Sequence, residues 1–163
     1  MTIKIRGFEL PPLLEKFIND RVWGAKYADG RVNHHIIKIP DEMLKKSGIP
    51  AIDPLSTSNI DTLKFENTNE AWFPRKIFSS YASWRSAFPY YDSSKYRGEP
   101  ITDSGILDID KAIIIAGNIS DDILCLDYRS NPPSIVAIDW LDQKFRTLAP
   151  DFETFAKGVG LID

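Results

Sequence analysis

One cysteine, Cys125, and two histidines, His34 and His35, are the only thiol and imidazoles in the sequence. A lone cysteine excludes an internal disulfide, which agrees with a reducing compartment. Adjacent histidines point to opposite faces of a strand and lie about 100° apart on a helix, so the His34-His35 pair does not converge on a metal. Long apolar runs are missing too: no stretch reaches the roughly 18 residues a membrane helix needs. Lys4 and Arg6 stand where a signal peptide has its apolar core, so export by that route is not expected. Glycine is sparse and unpatterned. No GxGxxG, no glycine-rich loop ending in Lys-Ser/Thr and no GxSxG occurs, which removes the familiar nucleotide cradles and the serine nucleophile elbow.

What remains is ordinary globular material. The 163 residues are 43% hydrophobic with a net charge of −3, enough apolar content for one core and too little charge for disorder. One domain spanning 1–163 is expected. The small net charge hides an asymmetry: residues 1–98 carry +4 and residues 99–163 carry −7. Neither part has a basic stripe interleaved with aromatics, so nucleic acid is not an expected partner, and neither is a membrane. An acidic half either attracts a basic protein or is simply a solvated surface.

Leu10, Leu13, Leu14, Phe17, Ile18 and Val22 repeat at helical spacing, with Pro11 and Pro12 tolerated in the first turn and Gly24 as the stop. A short helix is predicted over Asp41–Ser47, capped by Asp41 and ended by Gly48 and Pro50. Residues 56–59 read as loop, and residues 62–66 as a short strand. Residues 74–88 fit a helix or a strand equally. Residues 89–105 read as an aromatic, polar loop. Strands are predicted at residues 112–116, 123–128, 135–140 and 144–148, and Asp151 is expected to cap a helix with Phe152, Phe155, Ala156 and Val159 on its apolar face. Parity suggests that Leu124, Leu126 and Tyr128 pair with Val136, Ile138 and Trp140 on one buried face, leaving Asp127 and Asp139 together on the other. The fold class is α+β: an antiparallel β-meander sheet with N-terminal and C-terminal helices packed on it.

Cys125 alternates with apolar strand residues, and its ionisable neighbours are all aspartates, so it reads as core rather than as a catalytic thiol. Asp142-Gln143-Lys144 has the D-x-K spacing of some metal-dependent nucleases, with Asp121, Asp122, Asp127 and Asp139 upstream; the plainer reading is solvated turn residues. Trp84, Phe88, Tyr90, Tyr91 and Tyr96, with Arg85 and Arg97, have the composition of an interface hot spot or of a long loop folded on its own side chains.

Three segments carry a family likeness. Residues 112–118 (AIIIAGN), 121–128 (DDILCLDY) and 134–140 (SIVAIDW), followed by the helix beginning Asp151-Phe152, resemble the SUKH superfamily of Smi/Knr-type domains. Leu10-Pro11 with Leu14 and Phe17 looks like that family's first helix. The likeness spans residues 112–160 and, more faintly, 10–24; Gly24-Ala25 stands where the family often has a glycine pair. It implies a binding domain without catalysis or cofactor, most often an immunity protein of the producing cell that neutralises a toxin, frequently a nuclease, or a eukaryotic interaction scaffold. On that footing the chain is expected to be a cytosolic immunity protein that blocks a cognate toxin sterically. The expected contacts are Asp121, Asp122, Asp127, Asp139, Tyr90, Tyr91 and Trp84. Replacing Asp121 and Asp122 with Lys is then expected to slow association without altering stability. A metal-dependent nuclease and a scaffold without a toxin are the alternatives.

Overall fold

A computed structural model describes residues 4–5, 7–20, 22–23, 36–57, 111–118, 122–139 and 144–163, with only the backbone of Ile5, Ile138, Asp139 and Lys144. A two-stranded hairpin, β1 (Lys4–Ile5) and β2 (Phe8–Glu9), turns at Gly7, whose φ of 82° lies in the left-handed region that glycine enters without strain. It leads into α1 (Pro12–Asn19), then β3 (Ile36–Ile37), α2 (Asp41–Ser47) and β4 (Leu55–Ser56). The long strands follow: β5 (Ala112–Gly117), β6 (Ile123–Asp127), β7 (Ser134–Asp139) and β8 (Lys144–Ala149), with α3 (Phe152–Gly158) last. Strands β3 to β8 form one antiparallel sheet in sequential order, so the predicted meander is present and extends two short strands further than expected. Among the described residues no helix is long and apolar enough to cross a membrane.

The helices sit as their sequence chemistry dictates. Helix α1 buries Leu14, Phe17 and Ile18 and ends at Asp20, one turn before Gly24, because the chain folds back there. The amides of Val22 and Trp23 both donate to the Phe17 carbonyl, and the Trp23 indole nitrogen donates to the Ile115 carbonyl at 2.9 Å. That turn drives a fully buried indole onto the sheet. Helix α2 ends as predicted at Gly48, with φ 76°, but its N-cap is Pro40 rather than Asp41. Asp41 instead supplies negative charge to the first turn, where the helix dipole favours it. Helix α3 is capped as expected: Asp151 Oδ1 accepts from the Thr154 amide at 2.7 Å, and the Asp151 carboxyl is held below its ordinary range chiefly by that bond. Phe152 touches Phe17, Trp23 and Phe155 with ring centroids 5.4–6.0 Å apart, and so joins α1 and α3.

The sheet corrects the parity argument. Leu124 lies opposite Ala137, Cys125 opposite Val136, Leu126 opposite Ile135 and Asp127 opposite Ser134. The register is one residue away from the predicted pairing of Leu124 and Leu126 with Val136. The face under the helices carries Ile113, Leu124, Leu126, Ile135 and Ala137. The other carries Ala112, Ile114, Ile123, Cys125, Val136 and Phe145, and these are buried as well. Parity can assign a register only when one face is wet. With both faces dry, the apolar pattern is silent and the connection between the strands decides. Positions 127 and 139 consequently have opposite parity along the sheet, not the shared face expected of them. Tyr128 has left the strand: its amide donates to the Lys111 carbonyl, and its ring stacks on Phe8.

Candidate interaction site

The β6–β7 connection, residues 128–133, is held to the sheet by one buried ion pair. Asp127 is only 2% exposed. Its carboxylate accepts from Arg129 Nε at 3.0 and 3.2 Å, from Arg129 Nη2 at 2.8 Å and from the Arg129 amide at 3.0 Å. A guanidinium fork on both oxygens suits a buried carboxylate, which otherwise pays heavily for leaving water. Further along, Ser130 Oγ donates to the Pro132 carbonyl at 2.9 Å and accepts from the Ser134 amide at 3.2 Å. The connection is therefore braced from within.

One end of that connection meets the N-terminal hairpin. The Tyr128 hydroxyl donates to the Glu9 carbonyl at 2.6 Å, and the Tyr128 and Phe8 rings stack with centroids 4.5 Å apart. Burial, and then the negative charge of Glu9, raise the Tyr128 hydroxyl far above its ordinary value, so it remains a proton donor at any physiological pH. Between hairpin, α1 and connection lies an open groove of about 810 Å³. Phe8, Pro11, Pro12, Tyr128, Pro132 and Pro133 give it apolar walls, and Glu9, Glu15, Lys16 and Asp20 are its charged groups among the described residues. Lys16 is itself paired with Asp20 along α1. The volume falls within the range of sites that take a small ligand or a few side chains.

The expected contact residues fare differently. Asp122 is 8% exposed and belongs to a turn clamp. It accepts from Asn118 Nδ2 at 3.0 Å and from the Asp53 amide at 3.2 Å, while its own amide donates to Asn118 Oδ1 at 3.1 Å. Its carboxylate ties the β5–β6 turn to the segment before β4. Asp127 is committed to Arg129. These two carboxylates act inside the fold. Five residues of strand, roughly 16 Å at 3.3 Å per residue, also separate them, so they do not meet at one cation. Asp139 pairs through its backbone with Lys144 at the far end of β7. Trp84, Tyr90, Tyr91 and Asp121 lie outside the described residues, as do His34, His35, Asp142 and the segments 62–66, 74–88 and 89–105. Among the described residues no three His, Cys, Asp or Glu side chains gather closely enough to hold a metal. Cys125 is buried within β6.

Sequence reasoning missed Phe8, Glu9, Glu15 and Lys16 altogether and gave Tyr128 to the core. The one available signal was a pair of diprolines, Pro11-Pro12 and Pro132-Pro133, of which the first is read above only as tolerated in a helix's first turn. No family model matches the sequence, and comparison with curated proteins and with solved structures finds no match, so the Smi/Knr likeness rests on the residues quoted for it.

Proposed function

We propose that the chain is an immunity protein, a binding domain that occupies the working surface of a cognate toxin domain, one to one, and performs no bond chemistry itself. The observation that carries this reading is the groove. It is apolar-walled and acid-rimmed, and one wall is pre-organised by the Asp127–Arg129 pair and the Ser130 bonds. Such a surface loses little entropy when a partner docks. A nuclease toxin is basic because it grips phosphates, and acidic groups speed its capture. The −7 charge of residues 99–163 acts in the same direction. Trp84, Tyr90, Tyr91, Asp121 and Asp139 remain candidate contacts. Asp122 and Asp127 contribute instead by holding the fold.

The test needs a candidate toxin domain, sought first in the gene next to this one. Co-expression should restore growth, and the purified pair should form a one-to-one complex whose association slows as salt rises. A metal-dependent nuclease is the competing reading. Incubating the isolated chain with nucleic acid and Mg²⁺ decides against our proposal if cleavage appears and is lost in Asp142→Ala.

A further inference from the structure

We draw no further inference here: the strongest candidate, the apolar-walled groove between the N-terminal hairpin, α1 and the β6–β7 connection, has Glu9 already paired with Lys4 and Asp20 with Lys16, and nothing in the structure shows what covers it.

Discussion

Removing the Arg129 side chain tests the most consequential contact in the described fold. In Arg129→Ala the Asp127 carboxylate keeps the amide of residue 129 as a donor but loses all three guanidinium contacts. The side chains of Arg129 and Asp127 are 9% and 3% exposed, so water does not readily replace what is lost. Orphaning one member of a buried pair costs about 3–5 kcal/mol, and the surviving amide bond puts the expectation at the lower end, about 3 kcal/mol. For a chain of this size that lowers the melting temperature by about 6–12 °C. Urea unfolding followed by circular dichroism reads the free energy directly, provided the slope with denaturant is unchanged. Asp127→Asn in the Arg129→Ala background removes the orphaned charge and should recover about 1 kcal/mol or more. The pair would have to be reclassified as a surface contact if Arg129→Ala cost less than 1 kcal/mol, the range of exposed ion pairs, or if the double variant were less stable than the single one. The result also bears on function. A lowered toxin affinity in any Asp127 variant should track the unfolded fraction, because this carboxylate faces its own chain.

Four further perturbations separate fold from interface. Asp122→Lys breaks bonds to Asn118 and to the Asp53 amide in a nearly dry turn and should cost about 2 kcal/mol by urea unfolding, whereas the sequence alone suggested no effect on stability. Tyr128→Phe should cost about 1 kcal/mol at neutral pH through the lost bond to Glu9. Because folding raises this hydroxyl, its stabilisation is complete below the ordinary value of 10.0 and is lost as pH climbs above it; the variant should flatten that alkaline decline in a pH series of unfolding curves. For Asp151 the sign reverses, since folding lowers its carboxyl. Its contribution is complete above the ordinary value of 3.8 and disappears as pH falls below it, so Asp151→Ala should cost about 1 kcal/mol at pH 7 and less in strong acid. Phe152→Ala opens a cavity between Phe17, Trp23 and Phe155 and should cost about 3–5 kcal/mol, with near-ultraviolet circular dichroism reporting the loosened Trp23.

The elements with local signals were legible from the residues. Apolar strand runs, a helix capped by Asp151 and a helix ended by Gly48 all carry their instructions within a few residues, and all stand within a residue or two of where they were expected. Two-residue strands such as β3 and β4 have no such signature, because a pair of residues shows no period. Their pairing is conferred by neighbours in the sheet. The β6–β7 register failed for a different reason. Alternation identifies a buried face by contrast with a wet one, and here Cys125, Val136 and Phe145 are buried on one side while Leu124, Ile135 and Ala137 are buried on the other. Asp127 was the useful anomaly. A charged residue in a strand invites the conclusion that its face is wet, yet Arg129, two residues on, was already in the sequence to neutralise it.

The groove was illegible because its making is almost wholly long-range. Glu9 and Tyr128 are 119 positions apart, and the bond between them joins two pieces of chain that individually look like a charged N-terminal strand and a core aromatic. Composition drew attention to the aspartates, since they are dense in residues 99–163 and a nuclease inhibitor needs negative charge. Density is a poor guide to availability, however. A carboxylate near a strand end or turn is where the backbone most needs an acceptor, and Asp122 and Asp127 accept there from the amides of Asp53 and Arg129. Glu15 and Glu9 lie instead on a helix flank and a hairpin edge, where Glu9 faces Lys4 across the hairpin. The same logic orders the remaining candidates. Asp121, next in sequence to Asp122 and outside the described residues, is on the proposed function the contact to mutate, and Asp121→Lys should slow toxin capture where Asp122→Lys, which breaks the clamp, reports on folding.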